Sequence, residues 1–376
     1  MKKQAVVVQV LPSLQSGGVE RGTLEIARYL VQQGYRSIVL SAGGRLVDTL
    51  EAQGSEHITI DIGKKSLLTL RHIPFLRRFL RTEQVDILHL RSRMPAWVCY
   101  LAWRSMPPAH RPRLVTTVHG LYSINRYSRI MTKGERVIAV SETVQSYIEQ
   151  HYKTEKEKIA LIYRGVDRAH YPFHYQPNTI WLNQWHQTYP ALRNKKLLVL
   201  SGRISRLKGH TDLIKVMSKL SSLPSVHALI VGEVKKGKES YQQELVQLAK
   251  SLGVESTITF LGHRQDMREI MSIAKIVLSL SYTPESFGRV SIEALSLGVP
   301  VIGYDHGGVG EQLKMLLPEG KVAVGDIDAL AERIQHWLQQ PPIIQREHPF
   351  LLSEMVQQTV SVYEALLAES SPEYSL

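Results

Sequence analysis

The sequence of 376 residues predicts an α/β protein of two Rossmann-like, parallel-sheet domains, on three observations. Short runs rich in β-branched residues alternate with amphipathic stretches, the pattern of parallel strands joined by crossover helices. That rhythm breaks over 171–194, where aromatics and prolines follow neither period, and it restarts at KKLLVLSG. The length, at 43% hydrophobic content, also exceeds what one core usually organises.

Taken in order, QAVVVQVL reads as a first buried strand, followed by a helix over about 19–33. SIVLSA, VDILHL, RLVTTVHG and VIAVS supply further strands of a first domain, 1–172. HALIVG, STITFLG, KIVLSLS and PVIGY continue from KKLLVLSG in a second domain, 173–351, each leading into a helical stretch or a Gly-rich turn. After the break at Pro341-Pro342 a last helix is expected over about 352–369. With the chain to 376 it is assigned back to the first domain.

Composition narrows the class. The opening MKKQAVVVQVLPS is interrupted by Gln9 and Pro12 and lacks a small-residue cleavage site, so it reads as a strand and not as a signal peptide. The longest apolar run, MPAWVCYLAW, stops at Arg104, short of the roughly 20 residues that span a bilayer. Cys99 lies inside that run with no second thiol, which fits a core position and a reducing, cytoplasmic compartment. Residues 1–170 hold 26 Lys and Arg against 14 Asp and Glu, so the whole excess of +12 falls in the first half. Such a field attracts an anionic partner.

The densest chemistry lies in PESFGRVSIEALSLGVPVIGYDHGGVGE, after the strand KIVLSLS. Helical periodicity begins near Phe287, which puts Glu285 in the preceding loop and Glu293 about two turns inside. Gly288 and the amides after it, at Arg289 and Val290, form a helix N-terminus suited to a phosphate. In SGRISRLKGH, Arg203 and Lys208 occupy a strand-to-helix loop, where two cations can neutralise a diphosphate without a metal. Asp326-Ile327-Asp328 reads as a helix cap with a first-turn acid rather than a metal site. No His/Cys cluster has metal-ligand spacing.

These motifs, in this order, resemble the retaining glycosyltransferases of family 4, whose fold is GT-B. A Glu, seven residues and a second Glu are met by Glu285 and Glu293; Gly-Arg-(x)4-Lys-Gly is met by Gly202, Arg203, Lys208 and Gly209. An early Gly pair is met by Gly17 and Gly18, a strand-end His by His119, and a Ser after an apolar strand by Ser141. The linker N-G-V-D appears as R-G-V-D, with Arg164 where Asn is usual, a departure expected to weaken nothing catalytic. The resemblance implies two domains facing across a cleft, with the C-terminal helix crossing back to the first.

It also implies roles. Arg203 and Lys208 would hold the donor diphosphate and stabilise the departing nucleotide, Glu293 would bind the ribose, and Glu285 the transferred sugar. Gly17 and Gly18 would admit the diphosphate or sugar to the backbone. His119 would donate a hydrogen bond to the donor sugar at the reacting centre. His263 and Arg264, after ITFLG, are expected near the base, for which uridine is the implied choice. The contacts around Gly307-Gly308 would set sugar specificity. Retention would follow from front-side substitution, the leaving phosphate helping to take the acceptor proton, with no cofactor required.

Residues 64–84 read as a possible amphipathic helix that Pro74 would kink or start, with Leu68, Ile73, Leu76, Phe79 and Leu80 on one arc and Arg71, Arg77, Arg78 and Arg81 on another. Either it is an ordinary outer helix of the sheet or it docks on anionic lipid. Arg91 and Arg93, after VDILHL, could instead hold a phosphorylated acceptor. Nucleic acid is not an expected partner, since no recognition motif is present. The resulting expectation is a hexosyltransferase, peripheral on the inner face of the cytoplasmic membrane. It would move a hexose from a nucleotide diphosphate sugar to a glycan or glycolipid acceptor such as a lipopolysaccharide core. A nucleotide-sugar epimerase of the same fold, or a binding protein without catalysis, are the competing readings.

Overall fold

The computed structural model describes residues 4–15, 17–234, 237 and 239–369. The chain divides into two compact units, Met1–Gly165 with Leu352–Leu376, and Val166–Leu351.

The first unit runs β1 (Val6–Val10), α1 (Gly18–Gln32), β2 (Arg36–Ser41), α2 (Val47–Ala52), β3 (Glu56–Thr59), α3 (Ile73–Thr82), β4 (Ile87–Leu90), α4 (Arg93–Arg104), β5 (Arg113–Val118), β6 (Arg136–Ala139), α5 (Glu142–Tyr152) and β7 (Ile159–Leu161). Its seven strands are parallel in the order β3-β2-β1-β4-β5-β6-β7. The order reverses between β1 and β4, the place where doubly wound sheets bind ligands beyond their strand C-termini. β1 is buried along its whole length, because helices cover both sheet faces. Val8, Val10, Leu88 and Leu114 pack on one face against Leu76, Phe79, Ala96, Val144 and Ile148 of α3, α4 and α5.

The second unit runs α6 (Thr179–Thr188), β8 (Lys196–Ser201), α7 (His210–Lys219), β9 (Val226–Val231), α8 (Glu239–Ser251), β10 (Ile258–Gly262), α9 (Met267–Ser272), β11 (Ile276–Ser279), α10 (Arg289–Ser296), β12 (Val301–Tyr304), α11 (Gly307–Leu316), β13 (Lys321–Val322) and α12 (Ile327–Gln339). Six parallel strands lie in the order β10-β9-β8-β11-β12-β13, with the reversal between β8 and β11. The chain then returns to the first unit as α13 (Leu352–Ala368). Met355, Val356, Val360, Tyr363 and Leu366 of α13 seal the second face of the first sheet together with Ile26 and Leu30 of α1. The C-terminal helix thus contacts the first domain, as the sequence predicts.

Two local expectations need correction. The segment 171–194 is not without helix: Asn178 caps α6, its Oδ1 accepting from the Trp181 amide at 2.8 Å. Trp181 stacks on Trp185 at 5.1 Å and Trp185 meets Tyr189 at 4.7 Å. Their four-residue spacing was a helical stripe, obscured by the polar residues between. Residues 64–84 are not one helix either. A 3-10 turn over Leu67–His72 precedes α3, with Pro74 in the first turn of α3 where its missing N–H costs nothing. Leu76, Phe79 and Leu80 face the core, whereas Leu68 is 73% exposed, so the expected single apolar arc is split.

Other expectations hold. Asp326 caps α12, its Oδ1 accepting from the Ala329 amide at 2.9 Å; Ser141, marked in the sequence only as a motif match, also proves to be a cap, accepting from the Val144 amide of α5 at 3.1 Å. Cys99 is buried, its thiol pushed up to about 12 by desolvation. No helix among the described residues is long and apolar enough to cross a membrane.

Candidate functional site

Three helices have glycine at the N-cap, Gly17 on α1, Gly209 on α7 and Gly288 on α10, each following a strand beside its sheet's reversal point. None of the three glycines supplies a side-chain cap to the first amides of its helix. Gly209 has no alternative. Its φ is +71°, and a Cβ there would stand 2.2 Å from the Leu280 carbonyl oxygen, which is rigid backbone.

In the second unit the loop after β8 brings Lys208 to Glu285, Nζ pairing with Oε1. The Ser281 hydroxyl donates to the same oxygen at 2.7 Å, and Glu285 Oε2 lies 3.7 Å from where a Cβ of Gly288 would stand. The carboxylate therefore sits at the N-terminus of α10. Both partners of the ion pair are partly exposed, at 33% and 25%, so the pair contributes about 1 kcal/mol or less. A ligand offering several phosphate oxygens could recruit the ammonium at little cost. Arg203 is exposed on the same loop and meets no carboxylate among the described residues. Glu293 is buried, 7% exposed, and lies just over one turn into α10, nearer its start than the spacing from Phe287 suggested.

The turn 285–288 is held from behind. Gln312, fully buried on α11, donates from Nε2 to the Phe287 carbonyl at 2.6 Å and to that of Gly288 at 3.2 Å. The Gly308 amide donates to the Glu285 carbonyl at 2.8 Å, and a Cβ on Gly308 would fall 2.4 Å from Phe287 Cα. Gly307-Gly308 thus serves as a flat seat for this turn. Buried Asp212 on α7 accepts from Tyr282 at 2.6 Å and from Tyr304, tying α7 to the ends of β11 and β12. Burial and then the Asp212 carboxylate push the Tyr282 phenol up to about 12. Gln312 and Asp212 were not legible in advance, because their partners lie on other elements, up to 92 residues away; Ser281, four residues from Glu285, was passed over as part of an apolar strand.

After β10, His263 is exposed, while Arg264 forms a two-pronged pair with Asp266 at 2.8 and 2.6 Å. Asp266 also accepts from Trp181 at 2.8 Å, so Arg264 is built into the α6 aromatic stack.

In the first unit a polar layer crosses the C-terminal end of the sheet on the face covered by α1 and α13. Along β4 and β5 the side chains alternate, placing His89 and Arg91, and Thr117 and His119, on one face. His89 bonds the Tyr363 hydroxyl at 2.6 Å and the Thr117 hydroxyl at 2.6 Å. Arg91, 1% exposed, donates from Nη1 to Gln9 of β1 at 3.0 Å, and desolvation pulls it down to about 10. Arg93 does not join it; it bonds Ser128 at 3.1 Å and lies over the Tyr122 ring at 4.6 Å.

Arg164, which stands where the linker pattern has Asn, bears directly on His119. Its Nη2 lies 2.6 Å from His119 Nδ1. A guanidinium only donates, so Nδ1 accepts and the single imidazole proton resides on Nε2. Burial, then the charges of Arg164 and Arg91, hold His119 well below the ordinary histidine range. The ring is therefore a neutral donor. Gly22 on α1 makes room for this arrangement, since a Cβ there would fall 2.4 Å from Arg164 Nη1.

Residues 16–170 match the family described as Glycosyltransferase Family 4, and 183–349 match Glycosyl transferases group 1. The N-acetyl-alpha-D-glucosaminyl L-malate synthase of Bacillus anthracis is 28% identical over 261 residues, 67% of this chain and 65% of its own. The chain thus spans just under two thirds of that curated relative. A glycosyltransferase from Rickettsia africae aligns over 98% of this chain and all of its own, with a TM-score of 0.87 and 28% identity. Anabaena HepE, solved in complex with UDP and glucose, aligns over 96% and 100% with a TM-score of 0.79 and 22% identity. Together the likenesses establish the fold expected from the sequence, GT-B.

Proposed function

Because the chain belongs to the glycosyltransferases of family 4, we propose that it moves a hexose, with retention, from a uridine diphosphate sugar to a membrane-linked glycan or lipid acceptor such as a lipopolysaccharide core. The observation that carries this reading is the Lys208–Glu285 pair at the uncapped N-terminus of α10, beside an exposed Arg203. HepE, at 22% identity, was solved with UDP and glucose, which supports the choice of donor.

In this reading Arg203 and Lys208 hold the diphosphate and stabilise the negative charge that grows as the nucleotide leaves. The amides over 288–290, following Phe287, add the helix-terminal field. Glu285, released from Lys208, accepts from hydroxyls of the transferred sugar, and Glu293 accepts from the ribose. His263 lies toward the base; Arg264, committed to Asp266, contributes by holding that loop. On the first unit, Gly17 and Gly18 present backbone without side chains, and His119 donates from Nε2 to a sugar hydroxyl. The departing phosphate oxygen helps take the acceptor proton, so no enzymic nucleophile, cofactor or metal is needed.

The exposed residues Leu67, Leu68 and Phe75, at 86%, 73% and 47%, stand among exposed Arg71, Arg77, Arg78 and Arg81. This mixture supports peripheral docking on an anionic membrane surface, each cation adding about 1 kcal/mol near the lipid.

A panel of nucleotide sugars read by thermal shift tests the donor assignment. A uridine diphosphate hexose at 100 times its dissociation constant should stabilise the fold by about 2.7 kcal/mol. If no nucleotide sugar raises the melting temperature, the assignment fails.

A further inference from the structure

Arg91 is the unresolved charge of the first unit. Its guanidinium is 1% exposed, yet Nε and Nη2 find no hydrogen-bond partner among the described residues; Nη1 alone is used, on the neutral Gln9 amide. A buried cation without a paired carboxylate carries a desolvation cost that neutral partners do not return. Glu25 on α1 is a carboxylate that acts on it through its charge, while Nε and Nη2 stay unbonded among the described residues. A second buried guanidinium, Arg164, adds to the field, and both act on His89 and His119. The two imidazoles beside them are neutral and return no negative charge. Arg91 also sits immediately beyond β4, next to the point where the strand order reverses.

Two free N–H groups on adjacent nitrogens of one planar fork match the two oxygens of a carboxylate or phosphate. We infer that Arg91 is the anchor of an oxyanion site in the first unit, and that the acceptor carries a carboxylate or a phosphate which this fork binds. Arg203 and Lys208 of the second unit serve the donor diphosphate, so the first-unit site is a separate one. The inference rests on the transferase reading for its assignment to the acceptor.

The full chain, saturated with UDP so that the donor site is occupied, should be titrated calorimetrically with inorganic phosphate and, separately, with malonate. Wild type, Arg91→Met and Arg91→Lys are compared. Wild type should bind at least one probe, with Arg91→Met roughly 10- to 100-fold weaker, as loss of charge-assisted hydrogen bonds implies. Arg91→Lys, which keeps the charge and loses the fork, should fall between. The probe bound more tightly separates a phosphate-bearing from a carboxylate-bearing acceptor. In anion-free buffer Arg91→Met should melt no lower than wild type, because it removes an uncompensated buried charge.

Equal binding in wild type and Arg91→Met places the anions on the exposed arginines and overturns the proposal. So does a failure of both probes to bind wild type, or an Arg91→Met variant that melts well below wild type with its anion response intact. Should Arg91→Met not fold, equal affinity in Arg91→Lys and wild type overturns the proposal in the same way. Failure of UDP itself to bind wild type would count against the donor assignment, a result distinct from any of these.

Discussion

The strand C-termini of the two units solve opposite problems with similar topology. In the second unit the chemistry is partly exposed, ion-paired and carried by short contiguous segments: Arg203 to Gly209, and Glu285 to Glu293. In the first it is buried, short of negative charge, and assembled from single residues on several strands, Gln9, His89, Arg91, Thr117 and His119, closed by Arg164 and Tyr363. The contrast teaches that the loop site holds its cation in a weak, exchangeable ion pair, which on the proposed function a ligand would displace. A sheet-end site is instead preorganised, with tautomer and charge fixed before any ligand arrives.

The largest test of that contrast is Lys208→Ala. Removing a cation that meets growing charge should lower turnover roughly 100- to 1000-fold, while the melting temperature of the free protein barely changes, since the Lys208–Glu285 pair is partly exposed. Steady-state kinetics alongside thermal melting checks both halves. A large loss of stability with activity retained would invert the comparison.

Next in size is the first-unit triad of Gly22, Arg164 and His119. His119→Ala should cost roughly 10- to 100-fold in kcat/KM through the lost donor. Arg164→Met should release the tautomer, and the 15N resonances of His119 should then move from pure Nε2–H toward a mixture. Resonances unchanged in that variant would show that Arg164 does not set the proton.

Two glycines sharpen the comparison at the level of packing. Gly209→Ala would press a methyl into a backbone carbonyl at a positive φ, so a loss of about 1–3 kcal/mol is expected. Gly22→Ala meets only the end of the Arg164 side chain. It should cost less stability but displace the guanidinium, so its activity should follow that of Arg164→Met. Denaturant unfolding paired with kinetics distinguishes the two; an active Gly22→Ala enzyme with native His119 resonances would remove Gly22 from the account.

The smallest effect is on pH. Burial holds His89 and His119 well below the ordinary 6.5. Each binds a proton below 6.5 in the unfolded chain but not in the folded one, so stability falls with pH through that value. The slope is about 1.4 kcal/mol per pH unit for each of these fully buried rings. Burial also lowers His210, His227 and His348 to about 4 in the second unit, where they add in the same direction. Melting temperatures between pH 7 and 5 read this out, and a flat profile would contradict the neutral-ring assignment.

How much of this was legible follows the same division. Glu285, Glu293, Arg203 and Lys208 could be read because each pair lies within one short contiguous segment, a loop or a loop running into its helix, so sequence spacing translates into space. Gln312 and Asp212 could not, since their role is to bond Phe287, Gly288, Tyr282 and Tyr304 from other elements. The first-unit layer did leave a trace: Gln9, His89 and Thr117 are polar residues inside otherwise apolar buried strands. A polar side chain there must be hydrogen-bonded or functional, and the reading of strands as apolar runs passed over it. Pro74 does mark the start of the basic helix, but the apolar arc had been carried back to Leu68, which lies in the exposed 3-10 turn before it.

The central claim, that cations of the β8–α7 loop hold a nucleotide diphosphate without a metal, is tested most directly by calorimetric titration of UDP in the presence of EDTA. Wild type should bind, and the Arg203→Ala, Lys208→Ala double variant should bind roughly 100-fold more weakly or worse. Equal affinity in the two proteins, or binding by wild type that appears only when a divalent cation is restored, would contradict it.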